Sequence, residues 1–242
     1  MQHAGEETAG TSPLATRIEK IRRAILAATA RAQRSADDIT LVAVSKTHPA
    51  DKVREAIAAG QVDFGENRVQ EAETKIPEVG RGAARWHLIG HLQSNKARRA
   101  VELFDWIHSL DSVDLARRLD RVCGELNHEE LPVLIQVDLG HEATKTGVEE
   151  KDLPKVVDAV RECDRLRLMG LMTLPPFFDD AEQARPYFKR LRELRDEFQK
   201  EGVFGERAGD LSMGMTHDFQ IAIEEGATIV RVGTAIFGER HV

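Results

Sequence analysis

The stretch Leu41-Val-Ala-Val-Ser-Lys46 indicates both the fold and the place of the chemistry. Its four consecutive apolar residues, two of them β-branched, predict a strand that is buried on both faces, as the strands of a parallel sheet are. The strand ends in a lysine, and the functional sites of α/β folds lie at the C-terminal ends of the strands. In a partly desolvated site at the end of a strand the pKa of a lysine falls, and its neutral amine can attack a carbonyl carbon. A lysine that merely extends from the core to water is the other interpretation of this stretch alone.

Strand and helix patterns alternate eight times along the chain. Short apolar strands are predicted at 41–46, 62–65, 86–90, 104–110, 132–139, 166–172, 210–212 and 228–232, and an amphipathic helix over 13–33 precedes them. We therefore expect an α/β fold, a single (β/α)8 TIM barrel over residues 13–242 with an extra N-terminal helix. Residues 1–12 are expected to form a disordered tail. The alternative is a doubly wound dinucleotide-binding sheet, but the turn after the first strand lacks the glycines of that fold.

Two helix boundaries are predicted from local sequence. The helix that opens at 66–68 is expected to end before Pro77. A short helix is expected to begin at Thr216 or His217 and to end at Gly226, a residue type that is common just after helices.

Composition excludes several classes of protein. The chain has 242 residues, 41% hydrophobic and 31% charged, with a formal net charge of −7. These values favour a globular fold and give no general attraction to nucleic acid or anionic lipid, and the basic cluster Lys96, Arg98 and Arg99 is interpreted as a solvated helix face. No apolar run approaches the length of a membrane span, and residues 1–10 lack the features of a signal peptide. Cys123 and Cys163 have no metal-ligand spacing, so we expect reduced thiols in a cytoplasmic protein.

Two glycine-bearing turns follow the last two strands. They are Ser-Met-Gly-Met-Thr at 212–216 and Arg-Val-Gly-Thr-Ala at 231–235. In a (β/α)8 barrel the strand ends meet at one face, and the loops after strands seven and eight are its usual phosphate site. Because Lys46 would lie across the barrel from these turns, the sequence predicts a Schiff base with a phosphorylated carbonyl compound. A sugar-phosphate aldolase and a pyridoxal 5′-phosphate (PLP) protein share this chemistry.

Arg231 favours the PLP alternative. On the eighth strand it could place a permanent positive charge against the pyridine nitrogen, which keeps that nitrogen unprotonated. A salt bridge at the barrel rim is the other interpretation of this arginine. His87 could line the site or lie in the barrel interior, and the interior is favoured.

Six blocks of the sequence, in order, resemble the pyridoxal phosphate homeostasis protein family. They are Ala-Val-Ser-Lys-Thr (43–47), Phe-Gly-Glu-Asn-Arg-Val-Gln-Glu (64–71), Trp-His-Leu-Ile-Gly-His-Leu-Gln-Ser-Asn-Lys (86–96), Gly-Leu-Met-Thr (170–173), Leu-Ser-Met-Gly-Met (211–215) and Val-Arg-Val-Gly-Thr-Ala-Ile-Phe-Gly (230–238). The family is similar to the N-terminal barrel of alanine racemase, the fold-type III class of PLP proteins. The resemblance covers residues 13 to 240 or so.

The resemblance implies a role for each matching position. Lys46 matches the lysine that holds PLP covalently as a Schiff base, and Arg231 matches the partner of the pyridine nitrogen. Asn67 matches a polar residue near the cofactor, and Lys145 matches a second lysine implicated in cofactor handling. The phosphate cradle is matched by Ser212, Gly214, Gly233 and Thr234. No catalytic residue and no metal ligand is implied.

The resemblance also implies a function. Members of the family are taken to bind PLP and to buffer it or pass it on. We therefore expect a PLP carrier in intracellular PLP homeostasis, without established catalysis. Its expected partners are PLP and apo PLP-dependent enzymes. The alternative is an amino-acid racemase of the alanine racemase type. In that enzyme a tyrosine from a C-terminal β domain and the partner subunit supplies the second base, whereas the single tyrosine here, Tyr187, is predicted on an outer helix. Without such a domain, we expect a monomer.

Overall fold

Eight short parallel strands form a closed barrel in the computed structural model, which describes residues 12–140 and 146–239. The strands are β1 Thr40–Val44, β2 Asp63–Glu66, β3 Arg85–Leu88, β4 Trp106–Leu110, β5 Leu131–Gln136, β6 Leu166–Met172, β7 Asp210–Ser212 and β8 Ile229–Val232. Each strand pairs with the next, and β1 closes the ring because Ala43 lies opposite both Phe64 of β2 and Val232 of β8. The predicted (β/α)8 barrel and all eight of its strands are confirmed.

The helices surround the barrel. They are α1 Pro13–Arg31, α2 Ala50–Ala58, α3 Val69–Val79, α4 Ala97–Leu103, α5 Val113–Glu125, α6 Leu153–Arg161, α7 Arg185–Lys200, α8 Phe219–Glu224 and α9 Thr234–Phe237. Because α8 and α9 have only six and four residues, they cannot cover the neighbouring strands, and the 19 residues of α1 lie against both of them. Arg34, just after α1, donates hydrogen bonds to the carbonyl oxygens of Ile223 and Ala227. The extra N-terminal helix is therefore part of the barrel's outer layer.

Side-chain alternation separates an apolar outer layer from a partly polar interior. On β3, Trp86 packs outward against Phe64, whereas His87 is directed inward and is only 2% exposed. The prediction that His87 lies in the barrel interior is thus confirmed. Burying such polar groups is costly unless they are hydrogen-bonded, and the interior of this barrel supplies the partners.

The helix boundaries differ from the local prediction at two places. Helix α3 continues through Pro77 to Val79 instead of ending before the proline. Proline removes one hydrogen bond near the end of a helix, and tertiary contacts of Lys75 and Ile76, both buried on this helix, outweigh that loss. Helix α8 begins at Phe219, not at Thr216 or His217, and the short helix α9 was not predicted.

Several further expectations can be compared with the described residues. Residues 1–11 of the predicted tail lie outside them, and Ser12 forms the N-cap of α1, its hydroxyl oxygen accepting a hydrogen bond from the amide of Ala15. Cys123 and Cys163 are free thiols. Arg98 and Arg99 form ion pairs with glutamates on an exposed face, as predicted. Within residues 12–140 and 146–239, no helix is long and apolar enough to cross a membrane, and no cluster of residues could hold a metal ion.

Candidate functional site

A cavity of about 410 Å³ opens at the C-terminal ends of the strands. Five of the predicted site residues line it: Lys46, Asn67, Arg231, Gly233 and Thr234. They come from the ends of β1, β2 and β8, which the closed barrel brings together although the chain separates them widely. The volume falls in the range typical of small-molecule sites.

Lys46 reaches the cavity because of its position after β1. Val42 and Val44 alternate with Ala43 and Ser45 along this segment, and Val44 also lines the cavity. By the same alternation Lys46 is directed to the cavity side, where its side chain is half-buried. The next residue, Thr47, has a φ of +67° and turns the chain sharply away from the strand.

Arg231 carries a buried positive charge to the floor of the cavity. Its side chain is 2% exposed, and its Nη1 and Nη2 atoms donate to Ser212 Oγ at 2.5 Å and to the carbonyl oxygen of Thr173 at 2.9 Å. Burial lowers the pKa of Arg231 to about 10, although the nearby carboxyl of Asp218 opposes this shift. The guanidinium therefore remains charged at neutral pH, and it has five N–H donors to distribute.

Behind Arg231, hydrogen bonds cross the barrel from one end to the other. Ser212 Oγ lies 2.9 Å from His108 Nδ1, and His108 Nε2 lies 2.9 Å from His87 Nδ1. His87 Nε2 lies 2.9 Å from Asp63 Oδ1, which also pairs with the half-exposed Arg85 at the opposite end. Burial, and then the neighbouring His87 and Arg231, lower the pKa of His108 well below its ordinary value. His108 is therefore neutral in the folded protein at neutral pH.

With one hydrogen on each imidazole ring, the hydrogen positions along this chain follow from its two ends. The carboxylate of Asp63 can only accept, so His87 donates from Nε2 and accepts at Nδ1. His108 then donates from Nε2 and accepts at Nδ1 from the hydroxyl of Ser212. Because the single hydrogen of that hydroxyl is used, Ser212 can accept from Arg231 but has no second hydrogen to donate to an anion.

The turn after β7 depends on a glycine. Gly214 has a φ of +91°, and a Cβ at this position would lie 2.6 Å from Cβ of Ala222. Its carbonyl oxygen accepts a hydrogen bond from the amide of Arg231, which ties the turn to β8. Asp218 caps the turn by accepting a hydrogen bond from the amide of Met215 at 2.6 Å, and burial raises the pKa of this carboxyl.

Asn67 is held near the cavity by a close backbone approach. A Cβ on Gly90 would lie 2.3 Å from the carbonyl oxygen of Asn67, so only glycine allows the two loops to meet. The hydroxyl of Ser109 donates to the carbonyl oxygen of Gly90 and fixes the second loop. Asn67 also borders a second cavity, lined by Arg68, His91 and Lys96.

The structure places the remaining predicted residues as follows. Ser212 and Gly214 are not among the residues that line the cavity, but Ser212 contacts Arg231 and Gly214 shapes the turn after β7. Lys145 lies outside the described residues. The cavity is also lined by Met215 and Thr216, from the predicted turn after β7, and by His217. Two further groups were not found from the sequence: Leu174, Pro175 and Phe177 of the loop after β6, and Val44 and Ile89. The Pro-Pro loop was the sequence signal for the first group, and strand alternation was the signal for the second.

The cavity fits the chemistry of PLP. Lys46 provides an amine for an aldehyde, and Arg231 presents a buried cation for a ring nitrogen. Val44 and Ile89 provide an apolar surface for an aromatic ring. A Cβ on Gly233 would contact the carbonyl oxygen of Val44 at 3.3 Å, so glycine lets the turn after β8 pack closely against β1 at the cavity. The residues present are therefore compatible with a phosphorylated pyridine aldehyde.

Comparison with known proteins defines first the class and then the family. The family model described as alanine racemase, N-terminal domain, matches residues 21–241, which is the barrel with most of its first helix. A pyridoxal phosphate homeostasis protein of Aquifex aeolicus is 42% identical over 224 residues, covering 93% of this chain and 97% of that protein. The corresponding protein of Escherichia coli K12 is 42% identical over 233 residues, covering 94% and 97%. The chain belongs to the pyridoxal phosphate homeostasis protein family.

A solved structure supports the same assignment. PipY of Synechococcus elongatus PCC7942, in a form with PLP bound, superposes with a TM-score of 0.81 at 42% identity and covers 93% of this chain and all of its own. Its form without PLP gives a TM-score of 0.82. The fold seen here is therefore that of a relative whose structure is known both with and without PLP.

Proposed function

We propose that this chain binds PLP through a Schiff base between Lys46 and the aldehyde of PLP, and that it serves intracellular PLP homeostasis by buffering the cofactor and passing it on. The observation that carries the proposal is the single cavity that Lys46, Arg231 and the 233–234 turn share. The 42% identical PipY has a structure with PLP bound, which supports a PLP site in the same barrel. When bound, PLP supplies an electrophilic aldehyde, and the protein supplies the amine and the charges around it.

Each predicted residue has a physical role in this proposal. The amine of Lys46 attacks the aldehyde carbon, and the guanidinium of Arg231 faces the pyridine nitrogen. Gly233 and Thr234 receive the phosphate with backbone N–H groups and a hydroxyl, and Asn67 borders the ring. Ser212 and Gly214, which are also predicted for the phosphate cradle, hold Arg231 and the turn after β7. Lys145 remains a prediction for cofactor handling.

The Schiff base can be tested by chemical trapping. Borohydride reduction of the protein loaded with PLP, followed by peptide mass spectrometry, is expected to find the reduced cofactor mass on Lys46. Lys46→Ala should be colourless yet folded, because a strand-end lysine adds little to the core. Lys52→Ala, which removes an exposed lysine paired with Glu55, should remain yellow. A cofactor adduct on another lysine alone, or none, would contradict the proposal.

Buffering and transfer require a separate experiment. Protein loaded with PLP is mixed with an apo PLP-dependent enzyme, and recovery of that enzyme's activity is compared with recovery in the same total concentration of free PLP. We expect recovery with the wild type and none with reduced, covalently fixed cofactor. We expect the protein to be a cytoplasmic monomer. Light scattering of the purified protein measures its oligomeric state.

No observation favours the racemase alternative. Tyr187 is half-buried on the outer helix α7, where its ring packs against Phe178 with centroids 5.8 Å apart. It does not line the cavity that contains Lys46. Amino-acid racemisation above the level of a Lys46→Ala control would revive this alternative.

A further inference from the structure

Thr47, the residue after Lys46, has an unfavourable backbone conformation. Its φ of +67° lies in the left-handed region, and only Gln33 and Asn127 share this feature among the other described non-glycine residues. For an L-residue the left-handed conformation is less populated by about 5- to 30-fold, equivalent to ~1–2 kcal/mol. Thr is also β-branched, which makes it a poor choice for this region. Such outliers persist only where surrounding contacts impose them, and they concentrate at functional sites.

An ionic cluster of the buried Glu66 and Lys75 and the partly exposed Glu71 supplies those contacts. The amide of Thr47 donates to Glu71 Oε1 at 2.5 Å, and Lys75 Nζ donates to the same oxygen at 2.7 Å. Lys75 Nζ also donates to Glu66 Oε1 and to the carbonyl oxygen of Ser45, each at 2.7 Å. Both neighbours of Lys46 in the chain are thus tied to one ammonium group.

The cluster is completed on the Ser45 side. The hydroxyl of Ser45 donates to Glu66 Oε1 at 2.7 Å, so Ser45 is held through both its carbonyl and its hydroxyl. The three N–H bonds of Lys75 are all used, one on each acceptor. Lys46 therefore projects from a backbone whose preceding and following peptide groups are both fixed.

Stability alone gives a weak reason for this arrangement. The side chains of Lys75 and Glu66 are 6% and 0% exposed, and burial raises the pKa of the Glu66 carboxyl. Desolvation of such a pair cancels much of its attraction, and apolar residues of similar volume often stabilise a protein as well or better. A cluster that joins both sides of the candidate nucleophile has a different consequence, because it determines where that side chain points.

We propose that Glu66, Glu71 and Lys75 are positioning residues, which hold Thr47 in the left-handed conformation so that the amine of Lys46 enters the cavity rather than solvent. The inference rests on the proposed Schiff base at Lys46. It adds that helix α3, through the backbone on either side, fixes the direction that strand alternation gives this lysine. The cluster touches neither substrate nor cofactor in this account.

The test removes the contact between Glu71 and the amide of Thr47 and, separately, lowers the cost of the left-handed conformation at residue 47. Glu71→Ala removes the acceptor of the Thr47 amide, and Glu71→Gln retains a carbonyl oxygen there. Glu71 is 28% exposed on the first turn of α3, where alanine is well tolerated, so the variant is expected to fold. Thr47→Gly lowers the cost of a positive φ without the contact. Each variant is measured for PLP Schiff-base formation by absorbance and borohydride trapping, and for binding of pyridoxine 5′-phosphate, which has no aldehyde.

The proposal predicts a pattern that a general loss of structure would not give. Glu71→Ala should weaken Schiff-base formation by about 5- to 30-fold, matching the population cost of the left-handed conformation, while affinity for pyridoxine 5′-phosphate changes less than twofold. Glu71→Gln should resemble the wild type, and Thr47→Gly combined with Glu71→Ala should recover most of the loss. Unchanged Schiff-base formation in Glu71→Ala, an equal loss of both ligands, or no recovery in the double variant would overturn the proposal.

A readout without cofactor separates this inference from the proposed function. Crystal structures of the unliganded wild type and Glu71→Ala should show that Thr47 leaves the left-handed region only in the variant. If wild-type Lys46 formed no adduct, the proposed function would fail, while this comparison would still decide whether the cluster controls the conformation of Thr47. A left-handed Thr47 in Glu71→Ala would overturn the positioning role even with a normal adduct.

Discussion

Nη1 of Arg231 lies 2.5 Å from Oγ of Ser212, so the cation on the cavity floor is held from inside the barrel. Ser212 is in turn hydrogen-bonded to His108, and the chain continues through His87 to Asp63 near the opposite end of the barrel. A donor-only guanidinium at one end and an acceptor-only carboxylate at the other give the chain one direction. The arginine predicted to face the pyridine nitrogen is therefore part of an ordered polar network, not an isolated rim charge.

Replacement of Arg231 should affect the cofactor and the fold together. Arg231→Ala removes the charge opposite the ring nitrogen and is expected to shift the absorption band of bound PLP or to weaken its binding by about 10- to 100-fold, as for other lost charged hydrogen bonds. It also leaves the acceptors on Ser212 and Thr173 without this donor, at a cost of about 1–3 kcal/mol in the free energy of unfolding. Absorption titration and denaturant unfolding measure the two effects. Arg167→Ala, which breaks an exposed ion pair with Glu130, is the control. A wild-type spectrum and affinity in Arg231→Ala would show that Arg231 does not touch the ring.

The direction of the hydrogen-bond chain predicts the tautomers of two histidines. His87 and His108 should both carry their hydrogen on Nε2, because each ring donates toward Asp63 and accepts from the side of Ser212. Long-range ¹⁵N–¹H correlation spectra of the imidazoles distinguish the two tautomers directly. In Ser212→Ala, His108 loses the donor to its Nδ1 but still donates to His87, so its hydrogen should stay on Nε2. A hydrogen on Nδ1 of His108 in the wild type would reverse the assigned direction.

Burial of His108 predicts a loss of stability in acid. Its folded-state pKa is well below the ordinary 6.5, so the unfolded chain binds more protons at pH values below about 6.5, and the free energy of unfolding falls as the pH falls. The slope from this group is about 1.4 kcal/mol per pH unit. Denaturant unfolding between pH 7 and about pH 5 should show a flatter dependence for His108→Gln than for the wild type. Equal slopes in the wild type and His108→Gln would contradict the assignment.

Gly214 should not tolerate a side chain. Gly214→Ala places a Cβ at a φ of +91° and within 2.6 Å of Ala222, so the left-handed backbone and the overlap together are expected to cost about 2–4 kcal/mol. The turn after β7 would move, and PLP affinity should fall as well. Thermal unfolding and absorption titration measure both effects. Gly82→Ala, where a Cβ meets no atom within 4 Å, should change the free energy of unfolding by about 0.5 kcal/mol or less; equal stability of the two variants would refute the argument.

Some features of the fold and the site could be predicted from the sequence, and others could not. Alternating strand and helix patterns identified all eight strands, and strand ends identified five of the residues that line the cavity. The same local reasoning ended α3 before Pro77, whereas burial of Lys75 and Ile76 on that helix carries it to Val79. His108 was missed, although alternation along β4 places it on the interior side, because an isolated histidine in an apolar strand carries no partner in its own sequence.

Periodicity and residue type are local properties, and they determined the barrel, the strand-end lysine and the two glycine-bearing turns before any coordinates were known. The tertiary structure decided which side chains meet. Ser212 hydrogen-bonds to Arg231 and His108, and Glu71 holds the strained Thr47, because closure and register of the barrel bring β1, β4, β7, β8 and α3 within hydrogen-bond distance. Such contacts join residues far apart in the chain, and their geometry depends on the whole closed sheet rather than on any segment of it.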